Sequence, residues 1–262
     1  MTPDTLELVL DVLAVLLTAG FILRTAPLIR SSAKPMTAAL FLFAMASLLL
    51  SFAYWIAYTL LRPDTRMPFA ANEVGESAVF LLFSAMLKTV LHENGVSAKW
   101  EILSTALFAS ASVALWIGWS GEWVQDSVGG LVFGYFLCVC VHSLKQAGAL
   151  SRAEWAALGI SCAALILGQT GTFFVSAPYL RPLDLTCYAV MFAVLLWLLV
   201  KSARWVMRRE NAKGALALSC SAYAFSLSTM YMSAGWFYPA AMLFNLATLP
   251  LILFALKQEV TA

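Results

Sequence analysis

The chain has 262 residues, 62% of them hydrophobic and only 11% charged, and it carries a formal net charge of +2. Soluble domains contain about 25% charged residues and roughly half apolar ones. A surplus this large cannot be hidden in one core beneath a water-facing surface, so a soluble globular protein is excluded and the excess apolar surface faces lipid.

Nine apolar runs are long enough, at about 20 residues, to cross a bilayer as helices. They are continuous and lack the two-residue alternation of barrel strands. The first, Thr5–Leu28, follows the acidic residues Asp4 and Glu7, unlike the basic start of a cleavable signal. It carries Asp11 about two turns in, on the order of 9 Å at 1.5 Å per residue. The second, Met36–Leu60, includes Ala53-Tyr54-Trp55. The third, Asn72–Leu91, holds Glu76 one turn in, with Glu73 three residues earlier on the same face. The fourth is Glu101–Trp119. The fifth, Val128–Ala147, sets Cys138 and His142 four residues apart, hence on one face. The sixth, Arg152–Val175, contains Cys162 and then Gly168-Gln169-Thr170-Gly171. The seventh is Leu183–Met207. The eighth, Lys213–Ala234, presents Ser219, Ser221, Ser226, Ser228 and Thr229. The ninth, Trp236–Leu256, carries Asn245, Thr248 and Pro250, with Gly235 and Pro239 leaving almost no loop before it. Asn72 and Ser127 read as helix N-caps and Pro182 as a helix start. The loops are too short for a separate soluble domain, so residues 1–262 form one integral membrane domain.

Charge sets the expected threading. With the N-terminus outside, the cytoplasmic side holds Arg24, Arg30, Lys34, Lys88, Lys99, Lys145, Arg152, Lys201, Arg204, Arg208, Arg209, Lys213 and Lys257, and the outside only Arg62, Arg66 and Arg181. Thirteen of the 16 basic residues on one side obeys the positive-inside bias. The expected fold is therefore an all-α, nine-span, polytopic bundle of a bacterial-type cytoplasmic membrane, with its C-terminus in the cytoplasm. Trp55, Tyr58, Trp116, Trp119, Trp123, Tyr179, Trp236 and Tyr238 read as an outer aromatic belt, and Trp100, Trp155 and Trp205 as an inner one. The outer turns at Arg62-Pro63 and Arg181-Pro182 share Leu-Arg-Pro followed by an Asp, a faint sign of an internal repeat.

Ionisable groups inside spans are the first functional candidates, because burying one at the bilayer centre costs about 2.5–3.5 kcal/mol. Asp11 and Glu76, with Glu73, are placed to line an outer acidic vestibule or to carry a proton. Gln169 and Asn245 are mid-depth amides, able to bind a small polar solute or each other. The eighth-helix serines read as packing contacts between helices. Toward the cytoplasm, Cys138, His142, Cys162 and His92 lie at comparable depth and are weak candidates for a metal or haem. The five cysteines lie in apolar stretches and read as small buried hydrophobes rather than disulfide partners. No zinc-protease motif, nucleophile elbow or phosphate-binding glycine loop occurs, so neither an enzyme nor a cofactor is expected. The basic loop from Arg204 to Lys213 reads as a topology determinant and anionic-lipid contact, not as a nucleic-acid site.

From the first run to Leu91, the chain resembles the start of the seven-helix membrane sensor modules fused to bacterial histidine kinases. The features shared are an outside N-terminus, the basic turn Arg30 to Lys34, Ala53-Tyr54-Trp55, a short outer loop, and a third helix opening Asn72-Glu73 and continuing Val79-Phe80-Leu81-Leu82-Phe83. This covers about a third of the chain, and nine spans without an output domain depart from the pattern. The resemblance implies a ligand-sensing or accessory subunit acting through a membrane or cytoplasmic partner. The residues themselves point first to a small transporter or permeation protein, with Asp11, Glu76, Gln169 and Asn245 along the path. It would capture a small or cationic solute from outside, proton-linked in one version. An intramembrane redox subunit built on the Cys/His group is the third expectation.

Overall fold

A computed structural model describes residues 2–61, 71–91, 98–120 and 123–261. Among the described residues there are nine helices and no strand: α1 (Pro3–Ser31), α2 (Pro35–Leu61), α3 (Ala71–Leu91), α4 (Ala98–Ser120), α5 (Trp123–Gln146), α6 (Arg152–Phe174), α7 (Ala177–Arg208), α8 (Ala212–Met232) and α9 (Phe237–Thr261). Each coincides with one expected span. Eight are long and apolar enough to cross a membrane, α8 being the exception. Leu16, Leu23, Leu107, Phe173 and Phe174 are each at least 65% exposed, which is tenable for such side chains in a hydrocarbon solvent. The protein is a multi-pass helical membrane protein.

The packing explains why α8 is the least apolar. In contact order, α1, α2, α3, α5, α4, α6, α7 and α9 close a ring, and α8 touches α3, α5, α6, α7 and α9 from within it. Residues from Gly214 to Ser226 on α8 are buried on every face. A helix that meets only protein has no need of lipid-soluble side chains. It needs small ones, so that backbones approach, and hydroxyls that bond locally. Ser219, Ser221 and Thr229 each donate to the carbonyl four residues back. Ser219 also meets Ser202 of α7. The same economy governs α5 against α4: a Cβ at Gly134 would fall 2.5 Å from the Ala109 Cα, and one at Gly130 2.8 Å from the Val113 Cα.

Several helix ends differ from expectation. α7 begins at Ala177, with Pro178 in its first turn and Pro182 inside the helix. Pro178 occupies a position whose N–H would be unpaired in any case, so the earlier proline is the start signal and the later one is absorbed. Arg181-Pro182 is consequently helical rather than an outer turn. Its suggested counterpart, Arg62-Pro63 with Asp64, lies outside the described residues, as do Arg66, His92, Gly121 and Glu122. α5 begins at Trp123, which places Ser127 within the helix instead of at its cap, and Asn72 is the second residue of α3. The α8–α9 turn is as tight as Gly235 and Pro239 suggest, with Gly235 at φ 58°, a left-handed conformation that favours glycine.

Successive helices run antiparallel, so the bundle has two ends. One holds the starts of α1, α3, α5, α7 and α9 and is rich in acids; it is called the acid end. The other, the basic end, holds the starts of α2, α4, α6 and α8. Trp123, Tyr179 and Trp236 at the acid end and Trp100 at the basic end are exposed, as expected of interfacial belts. Trp55 and Trp116 are instead turned into the bundle.

Candidate functional site

The site is assembled from α1, α2, α3, α8 and α9 at the acid end. Because α1 starts at Pro3, Asp11 lies eight residues in, about 12 Å along the axis. Its side chain is 3% exposed. Glu7, one turn above it, is its only charged neighbour among the described residues, and no hydrogen bond to the Asp11 carboxyl occurs there. Glu7 accepts a bond from the Trp55 indole N–H of α2 at 3.3 Å. From the opposite wall, the Tyr231 hydroxyl of α8 donates to Glu76 Oε2 of α3 at 2.6 Å. Tyr238, in the first turn of α9, lies within electrostatic reach of Glu7, Glu76 and Asp11 together.

The walls are held by packing. Gly75 brings α3 against α2, where a Cβ would sit 3.0 Å from the Ser47 carbonyl oxygen. The next residue, Glu76, consequently turns toward α8. Gly129 of α5 makes room for the Trp116 ring, which a Cβ there would approach to 2.5 Å. Trp116 meets the Tyr231 ring edge-on at 5.4 Å, so a glycine on α5 supports the tyrosine that holds Glu76. Beneath the site, Phe80, Phe83, Phe136 and Tyr223 form a continuous aromatic floor between α3, α5 and α8.

Buried polar atoms without described partners are more numerous in this half than at the basic end, where Ser32 Oγ and Gln258 Oε1 are found. Asn72 Oδ1, Gln125 Oε1, Gln169 Oε1 and the Tyr58 hydroxyl are buried and make no hydrogen bond. Gln125 spends its amide nitrogen on Glu73, which leaves its oxygen to face elsewhere. Apart from the tyrosine, these are acceptors, and Asp11 adds another. Buried polar groups are nearly always satisfied, and groups left over mark an ion, a water or a ligand site. Among the described residues, no donor reaches the Asp11 carboxyl.

The amides expected to act together are apart. Asn245 is 2% exposed and donates to Ser226 Oγ at 2.8 Å and toward the Tyr223 carbonyl. It ties α9 to α8 and is consumed by packing. Gln169, on α6, keeps an unpaired oxygen. Sequence reasoning placed Tyr238 in the outer aromatic belt and did not single out Tyr231.

Toward the basic end, Cys138 and His142 do share a face: Cys138 Sγ lies 3.9 Å from His142 Nδ1 and bonds Ser104 Oγ of α4 at 3.4 Å. Cys162 is exposed on α6, and no group of three metal-ligating side chains forms among the described residues. The basic end is otherwise fastened. Lys34 pairs with Glu259 at 2.5 Å, the Ala33 amide donates to the Val260 carbonyl, and Gln258 donates to the Val206 carbonyl. Lys88–Glu101, Lys201–Glu154 and Arg208–Glu210 complete the described ion pairs, all of them at this end.

No family model, curated protein or solved structure matches the chain. The site's chemistry therefore rests on its own geometry.

Proposed function

We propose that the protein is a small transporter or permeation protein of a bacterial-type cytoplasmic membrane. Its acid end faces outward and receives a small cation or protonated solute. The observation that carries this reading is the Asp11 carboxyl, 3% exposed and without a hydrogen-bond donor among the described residues, beside Glu7. A carboxylate held within a span is costly unless a positive partner or a proton completes it. A carboxylate is itself an acceptor, which favours a cation over an anion. The basic end, closed by Lys34–Glu259 and Gln258, supports the outward-facing arrangement, and the excess of lysine and arginine there supports its placement in the cytoplasm.

In this mechanism a cation loses water as it enters between α1, α3 and α9. Asp11 and Glu76 supply charge, while Tyr231 orients the Glu76 carboxyl. Neutralising Asp11 weakens the repulsion between it and Glu7, which gives the bundle a reason to close over the solute. Passage then requires the Lys34–Glu259 fastening to open. No enzyme chemistry, cofactor or nucleic acid enters the scheme.

A second reading is favoured by the resemblance of the first three helices to sensor modules: the same site senses its ligand and reports through a partner subunit. Uptake of guanidinium, methylammonium or sodium into proteoliposomes separates the two. The transporter reading expects uptake that Asp11→Asn and Glu76→Gln abolish while the protein stays monodisperse. Cation-dependent thermal stabilisation without uptake, together with a co-purifying partner, would favour the sensor.

A further inference from the structure

A cavity of about 250 Å³ lies far from the acid site, at the basic end between α6 and α7. On α7 it is lined by Trp197, Lys201, Arg204, Trp205 and Arg208, whose spacings of three and four residues put them on one helical face. Lys201 is the built part of the site. Its ammonium pairs with Glu154 of α6 at 2.5 Å, with 17% and 26% of the two side chains exposed. It lies 5.7 Å from the centre of the Trp197 ring and 5.3 Å from that of Trp205. Glu154 is fixed in turn by the capping box at the start of α6, where it accepts from the Ser151 amide at 2.7 Å. Arg208 is loosely paired with Glu210 at 3.6 Å. Arg204 lines the same cavity and makes no ion pair among the described residues.

We infer that this cavity binds the phosphodiester headgroup of an anionic membrane phospholipid, with Arg204 and Arg208 as its phosphate contacts. The charge fits: three cations against the two carboxylates of Glu154 and Glu210 leave one positive charge, which matches a single phosphodiester. Arginine presents a planar fork of donors suited to phosphate oxygens. The surroundings distinguish a lipid from a free phosphate. Val200 lines the cavity and is 40% exposed, and Leu196, one turn deeper on the same face, is 53% exposed. The headgroup site thus opens onto an apolar strip along which an acyl chain can lie. The two tryptophans stand at the level where indoles favour the junction of headgroup and tail. A soluble phosphate would use the arginines and leave the strip idle.

The test uses the full-length protein in nanodiscs of phosphatidylcholine containing a small fraction of phosphatidylglycerol brominated on its acyl chains. Tryptophan quenching is compared with that in a Trp197→Phe/Trp205→Phe variant, to isolate the signal from these two rings. The expected result is strong quenching by the brominated anionic lipid and little by brominated phosphatidylcholine. Arg204→Gln/Arg208→Gln should weaken the anionic preference about 25-fold, or fivefold per arginine, for a headgroup contact of about 1 kcal/mol each. Lys201 and Glu154 are left intact in that variant to preserve the fold, and an unchanged melting temperature confirms it. Equal quenching by both lipids would overturn the inference. So would retention of the anionic preference in the double variant, or full displacement of the lipid by millimolar inorganic phosphate.

Discussion

The two ends of this bundle hold their charges in opposite ways. At the basic end, the described acids are met by cations: Glu259 by Lys34, Glu101 by Lys88, Glu154 by Lys201 and Glu210 by Arg208. At the acid end, Glu7 accepts from an indole and Glu76 from a phenol, while Asp11 accepts no hydrogen bond among the described residues. Paired charges fasten helices together. On the function proposed above, the acid end is the working end and the basic end the fastening one.

Several experiments can break or sharpen this contrast. Asp11→Asn is expected to have the largest effect: cation-dependent stabilisation or uptake falls at least 100-fold, roughly 2.7 kcal/mol. Its thermal stability should be unchanged or higher, because an unpaired buried charge has been removed. A matching loss of stability would make Asp11 a structural residue. Lys34→Met should act in the opposite sense, destabilising by about 2 kcal/mol because Glu259, 7% exposed, loses its partner. Unfolding in mild detergent measures this, and apparent cation affinity should stay within twofold.

Gly129→Ala tests the support between the α5 helix and the site. Displacing Trp116 should cost about 1.5 kcal/mol of stability by overpacking and weaken cation binding through Tyr231. A variant that loses neither would show that Trp116 is not needed behind the tyrosine. Tyr231→Phe removes a single hydroxyl. About 1 kcal/mol is expected, read as a fivefold weaker cation response with the fold intact.

Much of the architecture was legible because its cause is coarse: a helix must be long and apolar to cross a bilayer, and eight of the nine described helices are. Asp11 and Glu76 were legible for the complementary reason, since a carboxylate within such a run is conspicuous. The central place of α8 was not. Its serines and alanines mean close packing, but they do not say on how many sides, and only the ring of neighbours supplies that. Pro182 misled because two prolines stand four residues apart and the earlier one, Pro178, begins α7. Asn245 looked like a ligand residue because an amide in a span needs a partner, and sequence could not reveal that Ser226 provides it. Tyr238 was hidden by its resemblance to a belt residue and Tyr231 was not singled out, although each lies within a turn or so of a helix end facing the acids. Gly129 and Gly75 signalled close approach only once the neighbouring helices were in place.

The central claim is that the Asp11 position is reached by cations from the acid end. Asp11→Cys, in a protein whose native cysteines have been replaced by Ala, can be exposed in right-side-out vesicles to membrane-impermeant methanethiosulfonates of either charge. The account predicts that the positively charged reagent modifies the cysteine at least tenfold faster than the negatively charged one, and only from the external face. Equal rates, faster reaction with the anion, or modification from the opposite face alone would contradict it.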